Sequence, residues 1–150
     1  MELEKEIITD KFKNQYHKAI VNVLYTNNWI TQQLKKRLAK HHVTLQQFNI
    51  LRILRGQYPQ PATINLLKER MLDKMSDASR IVDRMIQKDL VTRCTNKVDR
   101  RAVDIIITEK GLKILETLDN EMTGTDIIGD NLTIEDATRL NFLLDKFRGK

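Results

Sequence analysis

The first glycine or proline of this 150-residue chain is Gly56. These two residue types interrupt regular structure most strongly, so nothing in the first third forbids continuous helix. Phe12, Tyr16, Ile20, Val23, Ile30, Leu34 and Leu38 recur at spacings of three, four or seven. That pattern predicts one apolar stripe on a long helix, broken at His41 and His42. Thr44 and Gln47 have the spacing of a capping box, with Val43 and Phe48 placed as a hydrophobic staple. A second helix is therefore expected from Leu45 to Gly56, a natural C-terminal stop.

Both prolines, Pro59 and Pro61, fall within 57–62, which is expected to be a loop. Thr63 can cap a short third helix with Ile64, Leu67 and Met71 inward. After a tight turn near 72–74, a fourth helix should run to Lys88. The period then changes: Val91–Thr95 and 102–108 are rich in Val, Ile and Thr and are joined by the polar segment 96–101. This is the pattern of a two-stranded hairpin with a charged tip. A fifth helix is expected from Glu109, with Leu112, Leu115, Leu118 and Met122 on one side. Thr133 should cap a sixth, bearing Ala137, Leu140, Leu144 and Phe147. The expected fold is mainly α with a small antiparallel β-hairpin (α+β). Its outer helices are apolar along one side but have little central domain to cover, so burial against a second copy is expected.

Charge is unevenly placed. The net charge is +6, yet 34–67 holds six bases and no acid, and 68–101 holds ten bases and six acids. The middle therefore carries +10 and the rest −4. A basic centre between neutral or acidic flanks suits a polyanion that touches one region only. Hydrophobic residues at 41% and charged residues at 31% argue against a disordered chain. No run approaches the roughly 18 apolar residues that span a bilayer. The N-terminus alternates acids and bases without the apolar core of a secretory signal, so a cytoplasmic protein with no membrane partner is expected. A lone cysteine, Cys94, excludes an internal disulfide framework.

On a helical wheel, Met75, Ala78, Ile81, Val82 and Met85 of the fourth helix gather as a core stripe. Opposite them stand Ser76, Arg80, Asp83 and Gln87, flanked by Asp77 and Arg84. Guanidinium groups and short hydroxyls of this kind suit base edges and phosphates, although a solvated helix face has similar composition. The order of elements adds what the face lacks. A short helix, a tight turn, a second helix and a hairpin tipped by Lys97, Asp99, Arg100 and Arg101 make a winged helix-turn-helix. Asp99 between these bases is expected to hold an arginine in one rotamer and to close the loop by accepting from backbone N–H groups.

Segment 64–111, ending IQKDLVTRCTNKVDRRAVDIIITEKG, resembles the multiple-antibiotic-resistance regulator (MarR) family of bacterial winged-helix repressors. Asp99-Arg100-Arg101 followed by a strand and Thr108-Glu109-Lys110-Gly111 is similar to that family's wing signature. Ser76, Ser79 and Arg80 match its Ser/Thr-x-x-Ser/Thr-Arg recognition helix. The segment 71–76 is one residue longer than the usual turn. Asp77 stands where a hydroxyl residue is commoner. The resemblance implies a homodimer held by 1–42 and 112–150, with 43–111 as the DNA-binding region on a pseudo-palindromic double-stranded operator. It implies contacts from Ser76, Asp77, Ser79, Arg80 and Arg84 in the major groove. Lys97, Arg100 and Arg101 would act from the wing, with Arg101 in the minor groove and Asp99 orienting it. It also implies control by a small lipophilic or phenolic effector, or by thiol oxidation.

Tyr16, Tyr25 and Trp29 could line such an effector pocket, and equally could pack in a core or dimer seam. Cys94 alternates with Val91 and Arg93 in a strand, so packing is expected ahead of redox sensing. His17, His41 and His42 lack the spacing and partners of a metal site, and no cofactor is expected. No nucleophile with a base stands out, so the expected function is regulatory and not enzymatic. Two alternatives come from other classes: a winged-helix module that binds protein and no DNA, and a small-molecule-processing enzyme.

Overall fold

Residues 1–45 form a unit built on one long helix. In the computed structural model, which describes residues 1–149, α1 spans Leu3–Glu6 and α2 spans Gln15–Ala39. The helix starts three residues later than the apolar stripe suggests, because Asn14 caps it by accepting from the His17 N–H (2.9 Å). Phe12 therefore lies off the helix, edge-on to the His17 ring at 5.8 Å. The segment before it folds back onto α2. Leu3 is buried, Glu4 pairs with Lys18, and Tyr25 donates to Glu6 Oε2 (2.8 Å). The helix ends as expected before the histidines, with His42 in the left-handed region (φ 54°).

The remaining residues form the second unit. Helix α3 spans Leu45–Gln57 and runs through Gly56 instead of stopping there. It buries Gln47, Ile50, Leu51 and Leu54, and Gln47 Oε1 accepts from Lys88 Nζ (3.1 Å). Thr63 caps α4 (Ile64–Arg70), its Oγ1 accepting from the Leu66 N–H (3.2 Å). Helix α5 spans Ala78–Gln87, with Ala78, Val82 and Met85 buried at helical spacing.

The wing is more than a hairpin. Strands β2 (Val91–Thr95) and β3 (Val103–Ile107) pair antiparallel, Arg93 opposite Ile105. A two-residue strand β1 (Ala62–Thr63) adds to the other side of β3, giving the order β1-β3-β2. The proline-rich stretch was expected to be loop throughout; its last residue, Ala62, instead pairs with Ile105 and is buried. Two backbone pairs within reach of an existing strand suffice, and no local pattern announces them.

Thr108 caps α6 (Glu109–Glu121), which buries Leu115 and Leu118. A short α7 (Thr125–Ile128) precedes α8 (Ile134–Phe147), whose capping box joins Thr133 and Asp136. Ile50, Leu51, Leu67, Met71, Val82, Met85, Leu90, Val91, Ile105 and Ile107 form the core of this unit, with Leu115 and Leu118. Helix α8 buries nothing: Leu140, Phe142, Leu143 and Phe147 are all exposed.

Candidate nucleic-acid interface

The turn between α4 and α5 sets where the exposed helix face begins. Leu72 N–H donates to Asn49 Oδ1 of α3 (2.9 Å), anchoring the turn to the core. Asp73 Oδ1 accepts from the Met75 N–H (3.0 Å), an Asx turn, and Asp77 Oδ1 accepts from the Arg80 N–H (3.2 Å) as N-cap. The helix cannot extend back through these two aspartates. Met75 was expected on the core stripe but is 93% exposed in the turn. Ser76 was expected on the polar face of the helix. It lies before the cap, and its Oγ is buried without a hydrogen-bond partner among the described residues.

Ser79, Arg80, Asp83, Arg84 and Gln87 remain on the exposed side of α5. At about 3.6 residues per turn they cover an arc opposite Ala78, Val82 and Met85. Asp83 is paired with Arg93 of β2 (3.1 Å), a contact between two elements that no local sequence pattern announces. The pair offsets an acid that would otherwise repel phosphate, and it joins helix to wing strand.

At the wing tip, Asp99 Oδ1 accepts from the Arg101 N–H (2.9 Å), and Asp99 O accepts from the Ala102 N–H (3.0 Å). The loop is thus closed through backbone groups. Among the described residues no ion pair joins Asp99 to Arg100 or Arg101; the contact of Asp99 with Arg101 is through the backbone N–H. Lys97, Arg100 and Arg101 are exposed. With Arg80 and Arg84 they have no acidic partner among the described residues. Other bases of the charge-rich middle are engaged. Arg55 bonds Asp119 of α6 through both nitrogens (2.5 and 3.3 Å), and Arg52 Nη1 lies 4.0 Å from the same carboxylate. The Arg55 hydrogen bond holds Asp119 below the usual carboxylate range.

The three candidate effector residues are divided. Tyr25 and Trp29, one turn apart on α2, are half-buried on one side, whereas Tyr16 is 83% exposed. Nine residues is two and a half turns, so Tyr16 stands opposite Tyr25. The Glu6 carboxylate, by accepting a hydrogen bond from the neutral Tyr25 hydroxyl, pushes that phenol upward. Cys94 was expected to pack; it is exposed, because β2 leaves the core after Val91.

The sequence model of the MarR family matches residues 43–103. YpoP, an uncharacterised HTH-type transcriptional regulator of Bacillus subtilis (strain 168), is 32% identical over 96 residues. That match covers 64% of this chain and 63% of YpoP. The chain spans less than two thirds of the length of the curated relatives it matches. A putative MarR-like regulator from Bacillus cereus ATCC 10987 superposes with a TM-score of 0.77 at 20% identity, over 87% of this chain and 94% of that one. A cysteine-to-serine mutant of Escherichia coli MarR in complex with operator DNA superposes with a TM-score of 0.72. It is 25% identical, over 97% of this chain and 98% of that one.

Proposed function

From the match of residues 43–103 to the sequence model of the MarR family, we propose that the protein is a DNA-binding transcriptional regulator. It acts as a repressor on a pseudo-palindromic operator. One observation carries this reading. Arg80, Arg84, Lys97, Arg100 and Arg101 stand exposed, with no acidic partner among the described residues, on one helix and its adjoining wing, while the bases on α3 are paired with Asp119. A cation kept free on the surface is available to displace counterions from phosphate. The E. coli neighbour bound to operator DNA supplies the analogy of fold.

In this reading α5 enters the major groove. Ser79, Arg80 and Arg84 face the bases and phosphates, while Asp77 serves as cap. Arg101 reaches the narrower minor groove, with Lys97 and Arg100 near the backbone. Two copies, joined through 1–42 and 112–150, place two such heads on successive turns of the duplex. The apolar residues left uncovered on α2 and α8 support that pairing. A lipophilic or phenolic effector resting near Tyr25 and Trp29 would alter the separation of the heads.

Selection of duplexes from a random pool tests this directly. The expected result is a symmetric motif bound with an affinity that falls steeply as salt rises. Arg101→Ala should weaken binding by about 1–3 kcal/mol. Failure of the folded protein to retain any duplex at low salt overturns the reading and favours a protein-binding module.

A further inference from the structure

One side chain holds the loop between β2 and β3. Asn96 Oδ1 accepts from the backbone N–H of Val98 (2.9 Å) and of Asp99 (2.8 Å). Asn96 Nδ2 donates to Asp104 Oδ1 on β3 (2.9 Å). Asp99 in turn accepts from the Arg101 N–H, so a continuous chain of bonds runs from the sheet to Arg101. Its far end is firm, because Asp104 lies on the middle strand, opposite Thr63 on one side and Cys94 on the other. Asn96 is half-buried, whereas Lys97, Val98, Asp99, Arg100 and Arg101 are exposed. It is therefore spent on the loop and not on a ligand.

The chemistry of the position is narrow. A carboxamide offers an acceptor and a donor from one short side chain. Aspartate would keep the two loop bonds but set a second carboxylate against Asp104. Alanine would remove all three side-chain bonds and leave the loop only its backbone closure and Asp99.

We infer that Asn96 is a positioning residue for DNA binding: by tying the wing loop to Asp104 it presents Arg100 and Arg101 in one arrangement before contact. The inference rests on the function proposed above. A loop ordered beforehand gives up less conformational freedom when its arginines engage a groove.

The test compares Asn96→Asp with the double exchange Asn96→Asp/Asp104→Asn against the selected operator over a salt series. The double exchange has the parent's net charge and restores a donor–acceptor pair with its direction reversed. Asn96→Asp should bind about tenfold more weakly, at the lower end of what a groove-reading arginine contributes. The double exchange should return to within about twofold of the parent, with the parent's salt slope. The amides of Val98 and Asp99 should exchange faster with solvent in the single variant and recover in the double. In an Arg100→Ala/Arg101→Ala background, Asn96→Ala should cost less than about twofold, since nothing remains to be placed.

An Asn96→Asp protein that binds like its parent overturns the inference. So does a folded double exchange that stays as weak as the single. A parent that binds no duplex at all instead overturns the functional reading, and the role of Asn96 with it.

Discussion

Asp119 is held by a guanidinium on another helix, and its titration has a definite sign. Its carboxyl lies below its ordinary value because Arg55 bonds the charged form, with Arg52 adding a weaker attraction. The folded state therefore binds the proton less readily than the unfolded chain. The stability this confers is fully present above the ordinary carboxylate value and is lost as pH falls through the lowered one. The side chain is 42% exposed, so the contribution is at most about 1 kcal/mol. Denaturant unfolding of the parent and Asp119→Asn from neutral to acid pH checks it. The gap between them should close on the acid side, and a gap that stays constant would place the effect elsewhere. Nothing at Arg55 or Asp119 announces this pair from the chain, since the partners lie 64 residues apart. The net basic charge of the middle segment was legible; which of its bases are neutralised was not.

At the scale of the element, α6 sits where it does because Gly111 lets it. A Cβ there would lie 2.6 Å from the backbone O of Leu90 and 2.8 Å from Cγ1 of Ile107. Gly111→Ala should destabilise the fold by about 1–3 kcal/mol despite the better helix propensity of alanine. Gly56, inside the last turn of α3, has nothing within 4 Å of the same added atom. Gly56→Ala should stabilise by about 0.5–1 kcal/mol. Urea midpoints of the two variants check the opposite signs, and a neutral Gly111→Ala would mean that α6 is not so closely docked. Thr63, Thr133 and the period change at Val91 were legible because caps and alternation are local. The start of α5 is not legible in the sequence, since periodicity favours Met75 as a core position while Asp73 and Asp77 settle the turn by bonding backbone amides. Strand β1 has no local signature; it exists only because β3 is there to receive it.

For the molecule as a whole, the uncovered apolar residues make the strongest demand. Leu140, Phe142, Leu143 and Phe147 on α8, with Ile20, Val23 and Leu24 on α2, are at least one-third exposed in the single chain. Sedimentation should find two copies per particle, and the melting temperature should rise with protein concentration. Leu143→Glu should shift the population towards single copies and weaken DNA binding in parallel. A parent that sediments as one copy at every concentration would remove the dimer from the mechanism.

The short strand β1 has a mechanical consequence. Thr63 is at once the cap of α4 and the partner of Asp104, the residue to which the wing loop is tied. Helix α4 and the wing beside it are thereby riveted to one plate. In the proposed function, a movement of the wing strands relative to α4 would first have to break the pairing of β1 with β3.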